Sequence, residues 1–209
     1  MILLAGSSGS GKTTVANQLE EMGYSVIPTY TTRKPRPNDS GTMCISEIQF
    51  EYMLTHDKFM SYHIFDSKMG PVAYGIPIEE YEKTPDNAVI VLAKEYYEDI
   101  CHYVKNYTED NVFMVYIDVD DESIIKRSMS DNGRGLSNTD LVDRLERDRE
   151  KNHYLETKSS LIIANAEYAM TPLEIAGIID KEYKKVKEGI LWNQFLELYL
   201  TKQMLHTLQ

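Results

Sequence analysis

The stretch Gly6-Ser7-Ser8-Gly9-Ser10-Gly11-Lys12-Thr13 decides how this sequence is expected to fold. It matches in full the pattern G-x-x-x-x-G-K-[S/T], in which glycines let successive backbone N–H groups turn toward one phosphate. The competing interpretation is a glycine-rich turn that binds nothing. An apolar run before the stretch and a helix-forming run after it favour the phosphate-binding loop, with ATP or GTP as its ligand.

The loop assigns expected contacts with the nucleotide. Lys12 is expected to reach the β- and γ-phosphates, and the hydroxyl of Thr13 is expected to ligate Mg²⁺. The predicted nucleotide-binding residues also include Ser8, Gly9, Ser10, Gly11 and Thr14. The expected cofactors are therefore ATP and Mg²⁺.

Strand-like and helix-like segments alternate outward from this loop. Predicted strands cover residues 2–5, 25–28, 59–65, 88–93, 112–119 and 161–164, and residues 33–42 are expected to form a loop. Predicted helices cover 12–22, 47–55, 78–83, 96–107, 122–129, 140–154 and a C-terminal segment after Thr171, with Gly189 as a candidate break. This alternation predicts an α/β fold in which helices cover both faces of a parallel sheet.

Size, composition and charge narrow the functional class. The 209 residues are enough for one α/β domain with its own core. A net charge of −11 argues against DNA or RNA as a partner, because phosphate contacts dominate that affinity. No apolar run approaches the ~20 residues of a membrane helix, and the first residues show no export signal. We therefore expect a cytoplasmic protein with no membrane partner.

Neither the cysteines nor the histidines form a recognisable ligand set. Cys44 and Cys101 match no zinc or redox spacing, which favours two reduced thiols. The histidines, which show no ligand or triad spacing, are His56, His63, His102, His153 and His206. We assign them no role.

The arginines occupy two short windows, whereas the lysines are scattered along the chain. The first window holds Arg33 and Arg36, and the second holds Arg127, Arg134, Arg144, Arg147 and Arg149. Because arginine suits two-point binding of phosphate, the windows indicate a site for a small anion; two solvated surfaces are the equal alternative. The first window lies in a proline-stiffened loop that could hold the phosphate of a second substrate, as phosphoryl transfer requires.

The order of these motifs resembles the guanylate kinase family over roughly residues 1–180. Beside the loop at 6–13, the segment Thr31-Thr32-Arg33-Lys34-Pro35-Arg36, followed by Gly41, is similar to the family's T-T-R-x-P-R…G. Further pieces in family order are Phe50 and Phe59, Tyr74-Gly75, Asn132-Gly-Arg-Gly135 with Arg144-Leu145, and Leu161-Ile-Ile-Ala-Asn165. The resemblance implies a P-loop kinase that transfers the γ-phosphoryl group of ATP to GMP, dGMP or another nucleoside monophosphate.

On the acceptor side, the resemblance implies roles for four residues. Arg33 and Arg36 would grip the phosphate of the acceptor monophosphate. Tyr74 would donate a hydrogen bond to the same phosphate, with surface packing as its alternative. Thr29 belongs with them among the predicted substrate-binding residues.

On the donor side, the resemblance implies a mobile lid. Arg134 and Arg144 would close over the ATP phosphates and neutralise charge on the moving phosphoryl group, so that they join Lys12, Arg33 and Arg36 as predicted catalytic residues. Closure would also keep water from the γ-phosphoryl group. Asn165 would touch the base of ATP. Arg147 and Arg149 fit an ordinary charged helix face.

The resemblance also divides the chain into regions. It implies a three-layer P-loop core (1–28, 88–125 and 155–180), an inserted monophosphate-binding region at about 29–87 and a lid at about 126–154. A helical extension covers 181–209 and is unusually apolar. We expect it to pack on the domain, with a homodimer contact as the alternative.

The match fails where the family reads guanine. Ser61 stands in place of a glutamate, Ile76 in place of a serine or threonine, and Ala93 in place of an aspartate. A carboxylate is the natural partner for the N–H donors of guanine, so its loss predicts an altered or relaxed base preference, such as for a pyrimidine or modified deoxynucleotide. The candidate replacement carboxylates are Asp66, Glu79 and Glu95.

Two other functions remain open on the sequence. A kinase of another phosphorylated small molecule, such as a sugar phosphate, would share the loop and lid without needing a base pocket. A noncatalytic guanylate-kinase-like binding module is disfavoured, because such modules typically lose the loop lysine and this chain keeps Lys12 and Thr13. Asp118, at a predicted strand end, either helps to hold Mg²⁺ through water or is a structural polar residue.

Overall fold

The central layer of the protein is a parallel sheet. The computed structural model describes residues 1–35, 41–67, 70–108, 110–130 and 138–207. The sheet strands are β1 (Ile2–Ala5), β2 (Ser25–Val26), β7 (Ala88–Val91), β8 (Phe113–Asp118) and β9 (Leu161–Ala164), in the order β2-β7-β1-β8-β9. Neighbouring strands pair in parallel throughout, as the alternating pattern predicted.

Helices cover both faces of this sheet. The helices of the described residues are α1 (Lys12–Glu21), α2 (Glu47–Thr55), α3 (Ile78–Glu82), α4 (Lys94–Tyr107), α5 (Asp121–Ser130), α6 (Asn138–Thr157) and α7 (Pro172–Thr207), with short 3₁₀ turns at Pro85–Asn87 and Ala166–Tyr168. Helices α1, α5 and α7 pack on one face of the sheet, and α3 and α4 pack on the other. The helix bounds predicted from the sequence agree with the observed bounds to within a few residues. The predicted three-layer α/β/α fold with a parallel core sheet is confirmed.

Strand β1 divides the hydrophobic core into two clusters. Because successive side chains of a strand point to opposite faces, Ile2 and Leu4 pack in one cluster with α1 and α7. Leu3 and Ala5 pack in the other cluster, with α4. All four side chains are fully buried, as expected for a central parallel strand.

A second, mixed sheet is formed by residues 29–77. It contains β3 (Thr29–Thr31), β4 (Thr42–Cys44), β5 (Phe59–Ser67) and β6 (Gly70–Pro77), in the order β4-β3-β6-β5. Only β5 was predicted. Strands β3 and β4 are too short to show a period. Strand β6 contains two glycines and two prolines, which are depleted in strands. Residues 36–40 of the predicted loop lie outside the described residues.

Gly75 of β6 lies directly against an aromatic ring. A Cβ atom at Gly75 would lie 2.6 Å from Cδ1 of Phe59, and the Phe59 ring is itself stacked on Phe50 at a centroid distance of 4.6 Å. The ring therefore has little freedom to move aside. The lack of space for a side chain thus explains why a glycine follows Tyr74.

Gly75→Ala is expected to lower the free energy of unfolding by about 1–3 kcal/mol, the usual cost of forcing an extra methyl group into packed surroundings. Gly177→Ala is the matched control, since Gly177 lies in α7 with open space around its Cβ position. The control should raise stability by up to about 1 kcal/mol through helix propensity. Urea unfolding of both variants measures the difference; equal stabilities would contradict the proposed contact.

Helix α7 begins where the sequence predicted and continues through the candidate break. The Oγ1 atom of Thr171 accepts a hydrogen bond from the Glu174 amide at 3.3 Å, and the Glu174 carboxylate accepts from the Thr171 amide at 2.7 Å. The break considered at Gly189 does not occur, since the helix runs from Pro172 to Thr207. A single glycine costs a helix only about 1 kcal/mol, too little to end it. Whether this helix forms a homodimer contact stays a prediction.

Within the described ranges, no helix combines the length and the apolar character that crossing a bilayer would require.

Candidate functional site

The candidate site lies at the carboxyl ends of the central strands. The glycine loop follows β1, helix α4 starts shortly after β7, Asp118 ends β8 and Asn165 follows β9. Because all these strands are parallel, the four features share one edge of the sheet. This edge is where open α/β sheets bind their ligands.

The glycine loop adopts backbone angles that only glycine tolerates easily. Gly6, Gly9 and Gly11 have φ values of 140°, 93° and 95°. Gly6 also lacks room for a side chain, since a Cβ atom there would lie 2.4 Å from the carbonyl oxygen of Ile117. Gly11 immediately precedes α1 and has no side chain to cap it, so the N–H groups of the first helical turn are left for a ligand.

Lys12 folds back over the loop. Its Nζ donates hydrogen bonds to the carbonyl oxygens of Gly6 and Ser7, both at 2.8 Å. The ammonium charge is therefore already held at the mouth of the loop. Asn152 of α6 donates to the Ser7 hydroxyl at 3.0 Å, which links that helix to the loop.

Ser10 provides a direct test of whether the loop fits a nucleotide. The residue is 2 % exposed, and its Oγ has no hydrogen-bond partner among the residues that the structure describes. An unpaired buried hydroxyl is costly unless a ligand or water satisfies it. Its place inside the glycine loop, next to the uncapped start of α1, fits a phosphate group.

A cavity joins the loop helix to the second sheet. It has a volume of about 100 Å³ and is lined by residues including Thr13 and Asn17 of α1 and Thr29 and Thr42 of the second sheet. The predicted Mg²⁺ ligand and a predicted substrate-binding residue thus face the same space. No cluster of three or more His, Cys, Asp or Glu side chains suited to a metal occurs in the described part of the chain. A Mg²⁺ ion here would therefore be held by Thr13 together with oxygens of the bound substrate.

One face of the second sheet gathers the predicted acceptor residues. Cross-strand partners place their side chains on the same face, and Tyr74 is the partner of both Thr31 and His63. Ser61 and Ile76 are partners on that face as well. We call this surface, which holds Thr31, Ser61, His63, Phe65, Tyr74 and Ile76, the inner face. Both Thr29 and Thr42, which also belong to it, line the cavity beside α1.

Arg33 follows β3 at the end of the inner face. Its backbone N–H donates to the Thr31 hydroxyl at 3.1 Å, and its guanidinium donates to the Lys34 carbonyl at 3.2 Å. The structure therefore places Arg33 next to the strand that carries Tyr74. Arg36 lies outside the described residues.

Side-chain contacts hold the inner face against the first half of α4. The Ser61 hydroxyl donates to Oδ2 of Asp99 at 2.7 Å, and the His63 Nε2 lies 2.9 Å from the Glu95 carbonyl oxygen. The His63 and Tyr96 rings are 5.7 Å apart. Since α4 starts at the ligand-binding edge of the central sheet, these contacts hold the inner face at that edge. The cavity lined by Thr13, Thr29 and Thr42 forms a cleft between the inner face and the loop helix α1.

Two of the three positions at which the guanylate kinase family reads guanine are buried in this chain, and the third lies just before α4. Ile76 is fully buried in the core cluster beside α4, and Ser61 is 3 % exposed with its hydroxyl committed to Asp99. Ala93 directly precedes α4. Of the candidate replacement carboxylates, Asp66 lies on the opposite face, and Glu79 accepts a hydrogen bond from Tyr30 of that opposite face.

Asn165 uses its side chain inside its own loop. Its Oδ1 accepts from the Met170 amide at 2.8 Å, and its Nδ2 donates to the Met170 carbonyl at 3.4 Å. The residue is 3 % exposed. Its implied contact with the base of ATP stays a prediction.

Tyr168, which the sequence did not single out, contacts the glycine loop, and Arg127 of the second arginine window packs on Tyr168. The Tyr168 hydroxyl donates to the Gly9 carbonyl at 2.9 Å, and the guanidinium carbon of Arg127 lies 4.7 Å from the centre of the Tyr168 ring. Glu167 and Tyr168 both have positive φ, at 53° and 55°, so strained backbone places this tyrosine. Arg127 could be noticed in the sequence because it belongs to the second arginine window, whereas nothing in the sequence indicated Tyr168.

The lid arginines cannot be placed beside the loop from the described residues. Arg134 and the side chains of Arg144 and Arg147 lie outside them. Arg149 pairs with Asp121 at 3.2 Å on the surface, which fits its interpretation as part of a charged helix face. The catalytic roles of Arg134 and Arg144 stay predictions.

Asp118 carries an unfavourable charge beside the glycine loop. Although the side chain reaches the surface, partial desolvation raises the pKa of its carboxyl group, and the negative charges of Glu156 and Asp120 raise it further. The folded protein therefore binds this proton more tightly than the unfolded chain does. The resulting stabilisation is present below the ordinary aspartate pKa and is lost as pH rises through the raised pKa.

Asp118→Asn is accordingly expected to raise the Tm near neutral pH, because it removes a charge that the folded state disfavours. The gain should vanish below the ordinary pKa of an aspartate, where the wild-type side chain is also neutral. Thermal unfolding of both proteins across this pH range measures the effect. A variant that is less stable than wild type at neutral pH would contradict it.

Comparisons with known proteins bear on the fold. No protein-family model matches this sequence, and no curated protein matches it. The guanylate kinase of Anaplasma phagocytophilum is similar in structure, with a TM-score of 0.60 and 17 % sequence identity over 88 % of this chain and 84 % of that chain. This likeness shows that the chain shares the overall fold of that protein.

Two further solved structures are more distant. Shikimate kinase of Bacteroides thetaiotaomicron matches with a TM-score of 0.45 and 14 % identity, over 88 % of this chain and 97 % of that chain. A Bacillus subtilis protein in complex with phosphorylated GDP matches with a TM-score of 0.47 and 17 % identity, over 90 % of this chain and 97 % of that chain.

Proposed function

We propose that this protein is an ATP-dependent kinase that phosphorylates a nucleoside monophosphate. The observation that carries the proposal is the cavity that Thr13, next to Lys12, shares with Thr29 and Thr42 of the inner face, the face that bears Tyr74 and leads into Arg33. Two anion-binding features across one cleft suit a reaction between a triphosphate and a phosphate monoester. Such a reaction depends on positioning and charge neutralisation more than on covalent chemistry of the protein.

On the donor side, the loop residues perform the binding. The amides of the loop and of the first turn of α1 hold the phosphates, while Lys12 exchanges its two carbonyl partners for phosphate oxygens. The buried hydroxyl of Ser10 gains a partner in the same step. Thr13 would hold Mg²⁺, which supplies positive charge next to the phosphates.

On the acceptor side, Arg33 and Tyr74 hold the monophosphate in line with the donor. Tyr74 lies on β6, and Arg33 follows the end of the neighbouring strand β3, so the pairing of these two strands brings both residues to the same part of the second sheet. Arg36 would add a second guanidinium. Arg134 and Arg144 would neutralise the transferred phosphoryl group and exclude water, as the lid arginines of the resemblance imply.

A phosphorylated small molecule without a base is the second candidate acceptor. The observation that favours it is the burial of Ile76 and the engagement of Ser61, which leave neither position able to read guanine. Tyr74 and Arg33 would hold such a phosphate equally well.

An assay of ADP release with ATP, Mg²⁺ and a panel of acceptors tests the proposal. The panel contains purine and pyrimidine ribo- and deoxyribonucleoside monophosphates and the sugar phosphate ribose 5-phosphate. We expect turnover with at least one nucleotide above the rate with the sugar phosphate. Turnover only with ribose 5-phosphate would favour the second candidate, and no turnover with any acceptor would favour the binding module.

A further inference from the structure

Where β5 and β6 form the inner face, most of the accessible side chains are aromatic. Thr31 and Ile76 are fully buried and Ser61 is almost so, so these three side chains cannot contact a ligand. Phe65 is 37 % exposed, and the flanking side chains of His63 and Tyr74 are half-buried. A ligand that lies on this face therefore meets three rings.

These three rings form one connected surface. The Phe65 and Tyr74 rings meet edge to face at a centroid distance of 5.7 Å, and the His63 and Phe65 rings are 5.9 Å apart. Tyr96 supports His63 from the α4 side and is itself 4 % exposed. Such packing restricts each ring before any ligand arrives, which lowers the entropy cost of binding.

The hydrogen bond to α4 fixes the chemistry of the His63 ring. A carbonyl oxygen can only accept, so the 2.9 Å contact with Glu95 requires Nε2 to donate. In the neutral ring Nδ1 is then an acceptor. His63 thus supplies one acceptor atom among aromatic rings, in the part of the chain where guanine-reading carboxylates were expected.

We propose that His63 and Phe65 form the binding surface for the base of the acceptor nucleotide, beside Tyr74, which holds the phosphate. Phe65 stacks on the base, and His63 Nδ1 accepts a hydrogen bond from an N–H group on its edge. This inference rests on the proposed function and names the specificity-determining residues of the same site.

The proposal predicts a broad acceptor range. Every base has a flat face that stacks on an aromatic ring, so stacking discriminates weakly among bases. A site that pairs several polar groups with one base rejects the wrong base by about 10⁴-fold. Here we expect kcat/KM values for guanine, adenine, cytosine and thymine monophosphates to lie within about 100-fold of one another, since a single acceptor atom contributes only part of such a ratio.

Phe65→Leu is the first test variant. It should raise KM for every nucleotide acceptor about tenfold, with KM for ATP and kcat nearly unchanged, because stacking is lost and the phosphate contacts remain. Tyr62→Leu is the matched control, since Tyr62 is a similarly exposed ring on the opposite face of the same strand. The control should leave acceptor KM unchanged.

A ligand without a base separates base binding from a general structural effect. Ribose 5-phosphate, measured as a competitive inhibitor against the acceptor, should have the same Ki with wild type and with Phe65→Leu. An equal loss for ribose 5-phosphate and for the nucleotides would overturn the assignment, as would an unchanged nucleotide KM.

His63→Gln tests the acceptor atom. A glutamine can still donate from its Nε2 to the Glu95 carbonyl but has no counterpart of the His63 Nδ1. We expect it to change the order of preference among the bases while KM for ATP stays constant. An unchanged order of preference, or a preference for GMP above about 10⁴-fold in wild type, would overturn the proposal.

If no acceptor is phosphorylated at all, calorimetric titration of the monophosphates distinguishes failure of the kinase proposal from failure of the base-binding proposal. Binding that weakens in Phe65→Leu and persists in Tyr62→Leu would support the base surface although the kinase proposal fails. Binding that is equal in all three proteins would overturn the base surface independently of catalysis.

Discussion

Lys12→Ala is expected to lower kcat about a thousandfold, since removal of one hydrogen-bond donor to a developing oxyanion typically costs 10²–10³ and loss of a cationic group from the transferred phosphoryl costs more. The Lys12 ammonium already lies at the loop, within 2.8 Å of the Gly6 and Ser7 carbonyls. Loss of these two partly exposed hydrogen bonds costs only about 1 kcal/mol each, so the variant should remain folded. ADP release under saturating ATP measures the effect.

Lys126→Ala is the matched control for this prediction. Lys126 lies on α5 with its side chain 68 % exposed and paired to Glu122, so its loss should leave kcat unchanged. Circular dichroism of both variants verifies the fold. A Lys12→Ala enzyme with near wild-type kcat would exclude phosphate contact by this lysine.

Gly6→Ala is expected to abolish nucleotide binding and to destabilise the fold by about 2–5 kcal/mol. This sum combines ~1–2 kcal/mol for a side chain at positive φ with ~1–3 kcal/mol for overpacking. The new methyl carbon would lie 2.4 Å from the Ile117 carbonyl oxygen and 2.8 Å from the Ser10 hydroxyl. Either the loop or strand β8 must move. Thermal unfolding and ATP titration measure the two effects.

Gly23→Ala separates backbone strain from steric overlap in that experiment. Like Gly6, Gly23 has a positive φ, at 96° against 140° for Gly6, but no atom lies within 4 Å of its Cβ position. It should therefore lose about 1–2 kcal/mol of stability and keep full ATP affinity. If Gly6→Ala is no worse than Gly23→Ala, the predicted clash with Ile117 is wrong.

The sequence indicated those features whose physical cause is local. The glycine loop is a contiguous motif, and the buried strands β1, β7 and β8 are continuous apolar runs, so both could be recognised without knowledge of the fold. The capping pair of Thr171 and Glu174 is equally local. These features were enough to predict the parallel three-layer fold.

The remaining features depend on pairing between distant segments. His63 received no role because its neighbour Tyr74 lies on β6, a strand whose glycines and prolines conceal it in the sequence. Tyr168 was missed because its contact with Gly9 spans 159 residues. The burial of Ile76 likewise follows from packing against α4 and cannot be deduced from the identity of an isoleucine.

The alternation of side chains along β1 determines the position of the phosphate-binding loop along the sheet. Ile2 and Leu4 fill one cluster while Leu3 and Ala5 fill the other, so a shift of one residue would send each pair into the wrong helical layer. The same shift would carry Gly6 along the sheet by ~3.3 Å, about the length of a hydrogen bond. The burial of four hydrophobic side chains therefore fixes the position of the loop along the sheet, and with it the distance from the loop to the opposite side of the cleft.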